Sequence, residues 1–88
     1  MKHKEWRGDK ELIEKLLKES GLDNDTSELK RVMKCIIWCR YVEFMTTEEA
    51  LGLLATKYEI FMSHAKYYYT MEKAIKILEK YQNFLGAI

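Results

Sequence analysis

Apolar residues along the chain fall into four runs at helical spacing, separated by polar breaks. In the first run Leu12, Ile13, Leu16 and Leu17 recur at three- and four-residue intervals, which places them on one face of a helix. Lys and Glu fill the other face, with Glu11–Lys15 and Glu14–Lys18 at i,i+4, a spacing that supports a helix. Asp9 is suited to cap this helix by accepting from free N–H groups of its first turn. Gly21 is suited to end it in a left-handed conformation. These signals predict a helix over 10–20. Residues 21–27 are polar turn formers and predict a loop, with Thr26 or Ser27 opening the next helix.

In the second run Leu29, Val32, Met33, Ile36, Ile37 and Arg40 follow a helical period, and a helix is expected over about 27–44. From Cys35 to Phe44 the run is almost wholly apolar, and its β-branched and aromatic content suits a strand as well. Length favours a helix, because the period begins at Leu29 and persists for about four turns. Trp38, Tyr41 and Phe44 are then expected in the core. A helix apolar all round must lie at the centre of the bundle or against a second copy.

Thr46 and Glu49 form a capping box, hydroxyl to backbone N–H at one end and carboxylate back to the cap N–H at the other. A short helix over 47–57 follows, carrying Ala50, Leu51, Leu53 and Leu54. The last helix is expected over about 62–84, with Ser63 as a nearby cap. Ala65, Tyr68, Met71 or Glu72, Ile75, Leu78 and Leu85 would form one stripe, and Ala74, Ile77, Tyr81 and Phe84 a neighbouring one. A helix of that length, about 34 Å, exceeds what the remaining chain needs to cover, which points to self-association as a homodimer. Trp6, ahead of the first helix, reads as a lid on the core.

Composition narrows the class. At 88 residues the chain makes one domain of three or four helices. It divides into an N-terminal helix and loop (1–26) and a three-helix unit (27–88). The absence of Pro, with only four Gly, disfavours a turn-rich β fold, so the expected class is all-α. Lys plus Arg is 15 and Asp plus Glu is 14, a formal charge of +1, which excludes a uniformly basic coat protein and an acidic tail while leaving room for a local basic face. No signal segment and no membrane span are visible, so a cytoplasmic setting is expected. Cys35 and Cys39, four apart, read there as two reduced thiols. A zinc site built from them and His64 lacks ligand spacing, and no metal or cofactor is expected. No phosphate loop, nucleophile elbow or metalloprotease motif occurs, and an enzyme is not expected.

Residues 46–78 resemble the helix-turn-helix of the homeodomain-like class found in phage small terminase subunits and in phage or bacterial regulators. Lys57-Tyr58-Glu59-Ile60 matches the turn, Ala65 the small buried residue and Tyr68-Tyr69 the aromatic pair. The resemblance implies a dimeric DNA-binding protein of phage or mobile-element origin, acting in packaging recognition or transcription control. It also implies that the last helix reads a major groove from its N-terminal turns. The exposed residues there would be Met62, Ser63, Lys66, Tyr67 and Thr70, with Lys73 one turn further on the flanking backbone and Lys2, Lys4, Arg7 and Lys10 as a basic arm. The sequence departs from the pattern at two positions: Glu59 stands in place of the turn Gly, and Phe61 in place of the Ser cap. Residues 46–88 hold five Lys (57, 66, 73, 76, 80) and five Glu (48, 49, 59, 72, 79). That balance, with the dense aromatics, supports a second reading: a helical adaptor or inhibitor that binds another protein through an aromatic surface and does not bind DNA.

Overall fold

The computed structural model describes residues 3–24 and 27–86, with side chains through residue 82. Thr26 as a cap, Lys2 in the basic arm, and the Phe84 and Leu85 side chains lie outside the described residues. Among the described residues a 3-10 turn (Lys4–Trp6) precedes four helices: α1 (Lys10–Ser20), α2 (Glu28–Tyr41), α3 (Thr47–Lys57) and α4 (His64–Gly86). The fold is all-α, with no strand among the described residues, and none of their helices is long and apolar enough to cross a membrane.

Local chemistry sets the helix ends. Asp9 accepts from the Leu12 N–H at 3.1 Å, Ser27 from Lys30 at 3.2 Å and Ser63 from Lys66 at 3.1 Å. Thr46 and Glu49 close the capping box in both directions, at 3.2 and 3.0 Å. Gly21 ends α1 at φ 79°. Helix α2 stops at Tyr41, three residues before the expected end. Beyond it Phe44 takes a left-handed φ of 56°, and the Met45 N–H reaches back to the Cys39 carbonyl at 2.8 Å. The end of α3 repeats this form: Glu59 sits at φ 57° and the Ile60 N–H returns to Leu54 at 3.0 Å. Neither residue is a glycine, so each conformation carries a steric cost of about 1 kcal/mol.

Helix α4 packs along α1 and α2, and α3 packs on α2. Trp6, Ile13, Leu16, Ile36, Ile37, Tyr41, Leu54, Ile75 and Leu78 are buried where these elements meet. Trp6 is wholly enclosed, edge-on to Tyr41 at 5.4 Å between ring centres and stacked under His3 at 4.1 Å. The Gly8 N–H, bonded to the Tyr41 carbonyl at 2.8 Å, ties this lid to the end of α2.

Several side chains point otherwise than expected. Leu29 and Phe44 are exposed and Trp38 is half-buried. Leu29 lies in the first turn of α2, and Phe44 lies beyond its end, so neither faces the centre. In α4 the inward line is Tyr67, Thr70, Met71, Ala74, Ile75 and Leu78, while Ala65 and Tyr68 are exposed. Tyr67-Tyr68-Tyr69 offers an aromatic ring at three successive helical angles. Contact with α1 and α2 selects the first of them.

Candidate anion-binding face on α4

The six expected groove-contact residues separate in space. Tyr67 is 1% exposed and Thr70 4%, so both belong to the core, and neither can reach a phosphate or a base. Burial pushes the Tyr67 hydroxyl up to about 12, leaving it protonated. Met62 is half-buried against the core. Ser63 is exposed, but its hydroxyl caps α4. Lys66 and Lys73 are exposed as expected.

Those two lysines belong to a longer line. At about 100° per residue, Lys66, Tyr69, Lys73, Lys76 and Lys80 fall within an arc of about 80° along about 21 Å of helix. All five are exposed. Lys73 places its ammonium 5.5 Å from the centre of the Tyr69 ring, a cation–π contact that holds charge and ring on one surface. The carboxylates of the same helix lean away. Glu72 and Glu79 are half-buried, and Glu79 lies 3.4 Å from the His3 ring nitrogen on the N-terminal side of the fold. Among the described residues, every charged side chain fully exposed on α4 after His64 is a lysine. Lys76 and Lys80 escaped the sequence reading because a balanced total hides segregation by face. Their spacing from Lys66 and Lys73 (66/73/80 at seven and 73/76 at three) is the signal that could have found them.

The other expected basic group lies on aromatic rings instead. Arg7 sits 4.8 Å over Phe44 and Lys10 5.9 Å over Trp38. Lys4 is exposed at the 3-10 turn.

The approach to α4 also differs from a helix-turn-helix, where a turn of about three or four residues joins the two helices. Here the connection is residues 58–63. The Thr47 and Tyr68 hydroxyls meet at 2.8 Å, and the His64 ring nitrogen meets the Glu48 carboxylate at 3.0 Å. These contacts bring the first turns of α3 and α4 side by side, so the connection runs back along α3. Glu48 thus places negative charge beside the start of α4. The hydrogen bond from His64 holds its carboxyl below the usual range. Phe61, 80% exposed, and Tyr69, 65% exposed, give this end an aromatic surface. Cation and ring surface therefore run down the flank of α4, whereas its tip is acidic and aromatic. Comparison with protein-family models, curated protein sequences and solved structures finds no match to the chain.

Proposed function

We propose that this protein binds double-stranded DNA by laying the outer flank of α4 along the phosphate backbone. The observation that carries this reading is the arrangement of charge on α4: four exposed lysines share one flank, with the two mid-helix glutamates half-buried beside them. Lysines along about 21 Å of helix can neutralise several successive phosphates and release their counterions, the main source of affinity in sequence-independent binding. Tyr69 adds a ring and a hydroxyl able to donate to phosphate or sugar oxygens. The mode is backbone docking by a helix flank, with Lys66, Lys73, Lys76 and Lys80 as the contacts. In this reading Tyr67 and Thr70 hold α4 in place from behind.

Fluorescence anisotropy with a random-sequence duplex tests the reading. Four phosphate contacts predict a slope of log affinity against log salt of about −3 to −4. Affinity then falls about a hundredfold between 50 and 200 mM salt. Absence of binding at either salt, at high micromolar protein, refutes it.

A second reading rests on the ring surface at the start of α4. Phe61, Tyr68 and Tyr69 are exposed together with Ala65, and aromatic anchors of this kind dominate protein interfaces. A protein partner carrying acidic side chains beside an apolar patch would meet both the rings and the lysines. Binding that survives 200 mM salt and is lost on Phe61→Ala favours this partner over DNA. Sedimentation of the free protein reports whether it pairs with a second copy.

A further inference from the structure

Away from α4, a cleft of about 850 Å³ opens over α2 between α1 and α3. Cys35, Cys39, Met45 and Lys57 are among the residues that line it. The two thiols lie on one face of α2 with their sulfurs 3.9 Å apart, and both are free of disulfide. Met45 lines the same cleft, its main chain fixed beside Cys39 by the bond from its N–H to the Cys39 carbonyl, 2.8 Å. Among the described residues no group of three or more His, Cys, Asp or Glu is placed to hold a metal ion. The cleft is also lined by Glu14, Asp23 and Glu43, but they do not converge with the thiols into the set of ligands that a tetrahedral zinc or a hard cation requires.

We propose that Cys35 and Cys39, with the Met45 thioether as third donor, form a binding site for one soft monovalent cation of the Cu(I) class in this cleft. Thiolate and thioether sulfurs select Cu(I) over harder divalent ions. Metal–sulfur bonds of about 2.3 Å at 120° to one another separate two sulfurs by about 4.0 Å, close to the observed gap. Binding breaks two S–H bonds, forms two Cu–thiolate bonds and one dative bond from the Met45 thioether, and releases two protons to solvent. Copper stays monovalent, so no oxidant or reductant takes part. The resulting bis-thiolate unit carries one negative charge. Lys57 lines the same cleft and can balance that charge. The site lies on α2 and is independent of the α4 lysines.

The test is an anaerobic titration of the full chain with Cu(I) against a coloured Cu(I) chelator, bathocuproine disulfonate. One Cu(I) per chain is expected. Loss of a direct ligand in Cys35→Ala or Cys39→Ala should weaken binding more than about a hundredfold, since even outer partners of a metal site are worth 10- to 100-fold. Met45→Leu keeps the volume of the side chain and should weaken binding about ten- to a hundredfold with an unchanged circular dichroism spectrum. X-ray absorption of the loaded wild-type protein reads the ligand shell without any substitution and should show sulfur alone. A shell with nitrogen or oxygen donors, binding retained in the double cysteine variant, or failure to compete with the chelator each overturns the proposal.

Discussion

Helices α1 and α4 pack against each other, and each buries an apolar line at the same period: Ile13, Leu16 and Leu17 on one, Tyr67, Met71, Ala74, Ile75 and Leu78 on the other. Their outer faces differ. On α1, Lys10, Glu11, Glu14, Lys15, Lys18 and Glu19 are all exposed, so cations and anions alternate within a turn and the field cancels over a few ångströms. On α4 the four lysines share one exposed flank, and the two mid-helix glutamates are half-buried beside it. Both helices mix Lys with Glu. Only the angle at which each residue stands separates a neutral solvated face from a single-sign one. Net charge, taken over either segment, is blind to that angle.

The largest effects should come from the inner faces, where the two helices are alike. Leu16→Ala on α1 should cost about 2–5 kcal/mol and Tyr67→Ala on α4 about 3–5 kcal/mol, each read by urea denaturation. Tyr69→Ala should change stability by less than about 0.5 kcal/mol. A comparable loss at Tyr69 would show that α4 is turned differently about its axis and would break the comparison at its root.

Next comes the outer charge. Lys73→Glu with Lys76→Glu should abolish DNA binding at 200 mM salt, and at low salt flatten the slope by about 2, one unit for each lost phosphate contact. Stability should hardly change. Lys15→Glu on α1 should leave binding within twofold. Equal effects at the two sites would mean that total charge, and not its placement, governs association.

A smaller effect separates the ends of the helices. α1 ends on Gly21, which holds a left-handed φ without steric cost, whereas α3 ends through Glu59 in the same region of φ. Glu59→Gly should therefore stabilise the fold by up to about 1 kcal/mol, seen as a raised melting temperature. Gly21→Ala should destabilise by a similar amount, for strain alone, since open space surrounds it.

The smallest effect lies at the exposed His64–Glu48 pair. Its carboxyl pKa is lowered below the ordinary 4.5 in the folded state. Any stability it adds is present above that value and fades as pH falls through the folded pKa. Glu48→Gln should remove this pH dependence without shifting the melting temperature at neutral pH appreciably. It should also strengthen DNA binding slightly by removing a negative charge beside α4.

Much of the fold could be read directly from the chain. The limits of α1 and α3 and the capping roles of Asp9, Ser27, Ser63 and the Thr46–Glu49 box lie where the sequence places them. The doubt between helix and strand at 35–44 resolves as helix through Tyr41, and Trp6 is the enclosed lid. The candidate site was legible only in part. Lys66 and Lys73 were visible, whereas Lys76 and Lys80 were hidden by their neighbouring glutamates. Tyr67 and Thr70 were placed on the wrong side, because a run of three tyrosines and a threonine leaves several helical angles equally apolar.

What the sequence alone determined are features set within about four residues: caps, helix period and the positions where the chain turns. A capping hydroxyl and the N–H it serves are covalent near-neighbours, so no distant contact is needed to pair them. Three features were decided only by tertiary structure. One is the angle of α4 about its axis, and with it the separation of lysine from glutamate. Another is the side-by-side start of α3 and α4. The last is the cleft that joins Met45 and Lys57 to the cysteine pair. Each depends on which surfaces of α1, α2 and α3 remain to be covered once the others have packed. That choice is made by the total apolar area removed from water, a property of the assembled core and of no single segment.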